Sequence, residues 1–439
     1  MTNSLTTPES NTPQWLRTIL PFLAFTFFVA ACCVVSVRAS HRQSTPGEIV
    51  DARFDKNSAF RDFHNAVYYP VRAFLTGENP YSAEYLDYHP DGLGFPLFYP
   101  STLVIHAPYG FFQVQVSQWI FIATNFLLML LILRLALQYS GRRPTATLVF
   151  GLAGAFLITR PGILNFYGVQ VTLMHVLGCL LALQHGKSRP GLAALGLLLA
   201  SCKPTFTIPL AILMLCRGNW KSVTIGTLLS LGVGAAAVGW IASHNGGVEL
   251  IVEQFKTAYL DVETQPEIPE VVSSWTRLDV YSILPRWDLL APDGKMELAV
   301  LAIVIAFAGL CVLAERNRAQ LDQAAGRFGL LACLAIIISV YHQPYDALLL
   351  IIPIVAILCT PPDTEPPCGR VLRWVLLFLL AVPMLNFAGT HMVLNRLEIG
   401  DGTTEWKVIV TANAIALLLA FLLIGLRMIC SRRPSRQFE

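Results

Sequence analysis

Residues 51–81 read DARFDKNSAFRDFHNAVYYPVRAFLTGENPY, and after a polar turn region residues 94–100 read GFPLFYP. Long apolar segments flank this stretch, which itself carries carboxylates, aromatics and turn residues. Phe63, Ala66, Val67, Val71, Phe74 and Leu75 recur on about a 3.6-residue period, which predicts a helix. Gly77 stops that helix, and Asn79-Pro80 begins a turn. Pro70 falls inside and kinks or divides it. Asp62 stands just before the periodic run and has two readings. It caps the helix by accepting backbone N–H bonds, or it is the reactive carboxylate of a site at one membrane surface. Tyr68, Tyr69 and Tyr81 suit the headgroup level as anchors, and Tyr68 is also a candidate for substrate contact.

Outward from this stretch the chain is mostly hydrocarbon. Of its 439 residues, 54% are apolar and 13% charged, which is the composition of a multi-span membrane protein. A net charge of +3 gives no reason to expect nucleic acid. The cysteines sit in or beside apolar segments, without CxxC or Cys/His spacing for zinc and without the look of a disulfide framework. No P-loop, GxSxG elbow or dinucleotide fingerprint is present.

The expected architecture is an all-α polytopic bundle of roughly 10–13 transmembrane or re-entrant helices. Residues 1–14 form a disordered cytoplasmic N-terminus, 15–428 a single transmembrane domain, and 429–439 a basic cytoplasmic tail. Leu16 to Val37 is an uncleaved first span, its apolar run being longer than that of a signal peptide. Ser101 to Val114 is a re-entrant or interfacial piece. Apolar segments at 117–137, 145–158, 171–183, 223–242, 298–313, 328–340, 347–359, 371–385 and 406–428 follow. Two outer loops, about 38–100 and 244–295, hold amphipathic helices, the second of them at Val248 to Leu260. Leu192 to Leu215 is broken by Lys203-Pro204 and flanked by basic loops, which predicts a helical hairpin with Lys203 near its tip. Such broken backbone is tolerated where protein or a watery cavity covers it.

Lysine and arginine counts in short loops orient the bundle. With the N-terminus inside, the inner loops hold Arg142, Arg143, Lys187, Arg189, Arg217, Lys221, Arg316, Arg318, Arg327 and Arg370. The short outer loops hold little beyond Arg160, Lys203 and Arg396. This orientation depends on the hairpin. It brings 51–100, the RPGILNFYGVQ loop at 160–170, Lys203, the second long loop and YHQPYD at 341–346 to one face, and polar groups converging at membrane depth suggest one cavity.

Lys203, His342 and Arg160 are candidates to bind a lipid phosphate. The plain alternatives are snorkelling for the two cations and an unemployed loop position for the histidine. Asn165 and Gln170 suit sugar hydroxyls or local backbone bonds. Asp346 suits a helix cap after Pro344. Asp55 is the alternative to Asp62 as base, with Asp51 and Asp87 further rivals. Glu253, Glu263, Glu267 and Glu270 read as a solvated acidic surface.

DFHNAVYYPVRAFLTGENPY followed by FPLFYPSTLVIHAP resembles the first outer loop of the GT-C fold enzymes of glycosyltransferase family 87, which use polyprenyl-phosphate sugars and include mannosyl- and arabinofuranosyltransferases. GVQVTL at 168–173 is similar to the family's Gly-Gln-Val-Asn run, KPTFTIPLAILML to its Lys-Pro helix, and YDALLLIIPIVAIL to its Tyr-Asp-Leu helix. Gly168 departs from the pattern in being followed by Val169 before Gln170. The resemblance implies an inverting transfer of mannose or a similar sugar from a polyprenyl-phosphate lipid to a hydroxyl of a lipid or glycan acceptor. Transfer takes place on the outer face of a bacterial inner membrane, without metal or other cofactor. Asp62 then acts as base, Lys203, His342 and Arg160 bind the donor phosphate, and Tyr68, Asn165, Gln170 and Tyr345 contact substrate. The rival classes are a lipid or solute transporter, which also uses broken helices and intramembrane cations, and a non-catalytic envelope subunit. No internal repeat of the transporter kind is visible.

Overall fold

The computed structural model describes residues 14–41, 60–82, 85, 99–263, 272, 274–315, 326–359 and 367–430. Asp51, Asp55, Asp87, Glu267, Glu270 and the basic tail lie outside these.

Among the described residues every regular element is helical, and the helices are of two kinds. Six are long and apolar enough to cross a bilayer. They are α1 (Gln14–His41), α5 (Val114–Tyr139), α11 (Trp220–His244), α14 (Gly294–Glu315), α17 (Pro367–Leu385) and α19 (Thr404–Cys430). A bent pair, α6 (Ala146–Leu157) and α7 (Arg160–Gly168), turns by 75° and makes a broken span or re-entrant loop. Thr159 makes that bend: its side chain accepts from Gly162 N at 3.3 Å and so caps α7. Short apolar helices complete the bundle: α8 (Thr172–His185), α9 (Pro190–Ser201), α10 (Pro204–Arg217), α15 (Arg327–Ser339) and α16 (Ile351–Cys359). A 3₁₀ turn, Pro344–Leu350, leads into α16. The expected all-helical polytopic class holds.

Burial separates the two kinds. The long helices expose Phe22, Leu228, Leu231, Ile303, Leu310 and Phe378, as suits lipid-facing surfaces. Every residue of α15 from Phe328 to Ser339 is buried, and nearly all of α8 is. Helices apolar all round belong at the centre. At 13 and 14 residues, or about 20 Å, they are too short to cross about 30 Å of hydrocarbon alone. Segments 171–183, 328–340 and 347–359, expected as spans, are therefore core helices that end within the protein.

Sequence-specific packing holds this centre. Gly178 of α8 and Gly196 of α9 face each other, and a Cβ on either would stand 2.5–2.6 Å from the other's carbonyl oxygen. Only small residues permit that helix approach. The expected break at Lys203 is present: α9 ends at Ser201, α10 starts at Pro204, and Lys203 between them is extended (φ −125°, ψ 103°).

The opening stretch forms a helix in three parts: α2 (Arg61–Phe63), a π-helical turn (His64–Tyr68) and α3 (Tyr69–Thr76). Pro70 explains the widening. A proline ring clashes with the carbonyl four residues back and supplies no N–H, so the turn before it opens. Gly77 closes α3 at φ 84°, with Glu78 N bonded to Ala73 O at 2.8 Å and Gly77 N to Phe74 O at 3.2 Å, a Schellman ending. The segment expected as re-entrant begins with α4 (Ser101–His106) and a 3₁₀ turn (Ala107–Phe111). The amphipathic helix of the second loop is α12 (Val248–Glu263), which packs on α11.

Candidate active site

Short helices and loops end together at one level, and their polar side chains meet there. α7 packs against both α2 and the Pro344–Leu350 turn, and α8 packs on that turn too. Asp62 lies in the first turn of its helix rather than at the N-cap, correcting the capping interpretation: Arg61 is already helical, and His64 N bonds to Phe60 O. The Asp62 carboxylate instead accepts a hydrogen bond from Gln170 Nε2. It also lies against Gly168, where any Cβ would collide with Asp62 Oδ2.

The junction 168–170 carries backbone strain. Val169 adopts φ 57°, ψ 61°, a left-handed conformation unfavourable for a β-branched residue. Gln170 N returns to Asn165 O at 2.8 Å, reversing the chain so that Gln170 faces Asp62. The GVQ departure from the family run thus has a conformational role.

A second group lies across Tyr345. Asp346 is fully buried and accepts from Lys203 Nζ at 2.5 Å, His342 Nδ1 at 3.0 Å, Gln343 N at 3.0 Å and Thr172 Oγ1 at 3.4 Å. It caps the 3₁₀ turn in a capping box with Gln343, so the expected capping role and a charge-pairing role coexist. Lys203, expected as a cation for lipid phosphate, already has this carboxylate as partner. Its side chain is 19% exposed whereas those of His342 and Asp346 are 0%, so Lys203 is the member of the group that reaches the surface. The Lys203 ammonium stands 5.4 Å from the ring centres of both Phe206 and Tyr345. The Tyr345 hydroxyl is within electrostatic reach of both Asp346 and Asp62. Residues 62, 170, 203, 342, 345 and 346 therefore share one region.

Three candidates stand differently from expectation. Arg160 is 1% exposed at the far end of α7 from Gly168, where Nη2 donates to Gly389 O at 2.8 Å and the guanidinium lies 6.0 Å from the Trp275 ring. It is not brought to Lys203 and His342. Tyr68 is buried with its hydroxyl committed to Phe112 O at 3.0 Å. Tyr81 packs on Phe255, buried, and is not a headgroup anchor. Asn165 is fully buried, and neither of its amide atoms has a partner among the described residues.

Two residues of the region went unread in the sequence. His175 on α8 is fully buried, 5.4 Å from the Phe206 ring, and neither nitrogen has a partner among the described residues. An ionisable residue inside an apolar segment was the available signal. Phe206 stands between His175 and His342, meeting the His342 ring edge-on at 4.9 Å. His342 Nε2, opposite the nitrogen that faces Asp346, likewise has no partner among the described residues.

The second long loop covers this group. Leu278 N bonds to His342 O at 3.0 Å and Val280 N to Ile338 O at 3.1 Å. Arg277 holds Asp279 through two bonds of 2.8 and 3.1 Å and Glu297 at 2.5 Å, and lies 5.0 Å from the Tyr341 ring. Burial works against the Arg277 charge, but Asp279 and Glu297 hold its pKa above the ordinary value. Burial pushes the Tyr341 phenol up to about 12, so it stays neutral while Gln343 bonds to it. Among the described residues no three His, Cys, Asp or Glu side chains are grouped to hold a metal ion.

The model of glycosyltransferase family 87 matches residues 97–340, more than half of the chain. An alpha-(1->3)-arabinofuranosyltransferase of Corynebacterium glutamicum is 25% identical over 380 residues, covering 83% of each chain. No solved structure matches. A many-helix membrane bundle whose polar groups meet at the ends of its short central helices, matched over this length, belongs to glycosyltransferase family 87.

Proposed function

We propose that this glycosyltransferase moves a sugar from a polyprenyl-phosphate lipid to an acceptor hydroxyl, with inversion, at the membrane face that carries Asp62. The carrying observation is that one helix, α7, packs on both the turn that holds Asp62 and the Pro344–Leu350 turn that holds Tyr345 and Asp346, bringing Asp62 toward the Lys203–Asp346–His342 group from a distant part of the sequence. In this reading the acceptor oxygen attacks the anomeric carbon and its proton passes to the Asp62 carboxylate. The bond from that carbon to the phosphate oxygen breaks, and its electron pair leaves with the polyprenyl phosphate. Lys203, with His342 beside it on Asp346, stabilises that charge. Asp346 orients the imidazole through Nδ1 and keeps Lys203 in place between turnovers. Gln170 fixes Asp62, and Tyr345 contacts the sugar. Asp62 is taken as the base because Gln170 holds its carboxylate in the region.

A groove of about 530 Å³ supports a lipid donor. Tyr99, Ser201, Thr207, Gly226, Ser230 and Gly234 line it, and Ser201 and Thr207 flank the Lys203-Pro204 break. An isoprenoid tail lying there has its phosphate at Lys203. The relative's name favours arabinofuranose over the mannose expected from sequence, so the sugar taken is a pentofuranose. The N-terminus is cytoplasmic and the site faces outward.

The test is incubation of membranes with radiolabelled polyprenyl-phospho-arabinofuranose or polyprenyl-phospho-mannose, for wild type and Asp62→Asn. Label should move to a new lipid or glycan from the arabinose donor and fall by about 100-fold or more in the variant. Undiminished transfer by Asp62→Asn, or transport of intact donor without transfer, would remove the proposal.

A further inference from the structure

Lys203 is held by more than Asp346. Pro204 takes the first position of α10, its ring already set for a helix, and Phe206 N bonds back to Lys203 O at 3.0 Å. Side chains on a helix lean toward its N-terminus, which brings the Phe206 ring back over the residue three before it. The centre of that ring lies 5.4 Å from the Lys203 ammonium. A second ring stands at the same 5.4 Å, that of Tyr345, whose chain neighbour Asp346 accepts from the ammonium at 2.5 Å. Two short segments, 203–206 and 345–346, thus set one charge between two rings and a carboxylate.

Phe206 has little room to turn away. It is fully buried, with the His175 ring packed at 5.4 Å and tilted by 39°, and the His342 ring edge-on at 4.9 Å. The face of an aromatic ring is electron-rich and attracts a cation within about 6 Å of its centre, more strongly out of water. Leucine in the same place fills space without that attraction. Asp346 draws the ammonium harder and in one direction, while it also accepts from His342, Gln343 N and Thr172. A phosphate that arrives at Lys203 has to share the ammonium with that carboxylate. Ring faces hold a cation without a directed hydrogen bond, so they restrain it over a range of positions.

We propose that Phe206 is a positioning residue for transfer. Its face, together with that of Tyr345, keeps the Lys203 ammonium at the exposed edge of the group while it turns from Asp346 toward the donor phosphate. The inference rests on the reading of Lys203 as the cation that meets that phosphate.

The experiment uses full-length protein in which residue 206 is phenylalanine with no, one, two or three ring fluorines. Each fluorine draws electron density from the ring face and weakens its hold on a cation, while the ring keeps its shape and nearly its size. Transfer of label from polyprenyl-phospho-arabinofuranose should fall in steps along the series, by about tenfold at the third fluorine. The same series at Phe126, which stacks on Phe166 at 4.5 Å, should leave transfer within about twofold. Thermal unfolding separates charge from packing. Three fluorines at position 206 should lower Tm by about 2 °C in the wild-type background. They should leave it unmoved when Lys203→Met and Asp346→Leu remove the charge that faces the ring. Transfer that stays level along the series, or an equal Tm loss in both backgrounds, makes Phe206 a packing residue and overturns the inference. Absence of any transfer by wild type, with the Tm loss still dependent on Lys203, removes the proposed function instead. Phe206 is then a structural partner of that charge, and its role in transfer falls with the function.

Discussion

Gly168 is the residue on which the proposed base depends most directly. Gly168→Ala puts a methyl into the space of Asp62 Oδ2 and displaces the carboxylate from Gln170. Turnover should fall roughly 100-fold, the usual cost of misplacing a reactive group by about 1 Å, with Tm unchanged. A Tm loss of many degrees would make Gly168 a packing residue instead. Asp346 is the corresponding residue for charge. Asp346→Asn leaves Lys203 and His342 without their shared partner, and about 3 kcal/mol of stability should go with it. Joining Lys203→Met to Asp346→Leu should restore most of that stability in chemical unfolding, because no lone charge then stays buried, while activity stays lost. Gly168 and His175 were hard to recognise in the sequence. One packs on a side chain more than a hundred positions away, and the other looks like any polar residue tolerated in an apolar helix.

The element that decides where Asp62 points is the π-helical turn before Pro70. Pro70→Ala supplies the missing N–H and removes the ring, so the turn can tighten to α geometry and rotate Asp62 away from Gln170. Turnover should drop about tenfold with stability unchanged or higher, read by labelled-donor transfer and thermal unfolding. The sequence announced that Pro70 would disturb the helix. It could not say whether by a kink, a break or a widened turn, since that choice depends on what α2 and α3 pack against. The Lys203-Pro204 break was fully legible, because an N1 proline after a polar residue in an apolar run can start a helix but not continue one. Gly77 was equally legible as a left-handed stop.

At the scale of the molecule, the proposed orientation rests on the α9–α10 hairpin. Green fluorescent protein inserted at Gly186–Lys187 and at Gly218–Asn219 should fluoresce in both cases, placing both ends of the hairpin in the cytoplasm. Fluorescence at one site alone would make α9 and α10 a crossing and reverse every loop that follows. The inserts go between helices, where α8 ends at His185 and where Gly218 closes α10 at φ 92°.

Composition and hydropathy by themselves determined that this is an all-helical membrane protein with its polar residues gathered in a few loops. Proline, glycine and basic residues marked where most helices begin and end. These are local properties, set by hydration of side chains and by backbone sterics over one or two turns. Only the tertiary structure decided which short apolar helices are central rather than spanning, that Lys203 is paired with Asp346, and that Arg160 stands apart from both. Burial and charge pairing are properties of neighbours in space. An apolar helix reads alike whether lipid or protein surrounds it, and an arginine reads alike whether its partner is a carboxylate or the carbonyl of Gly389.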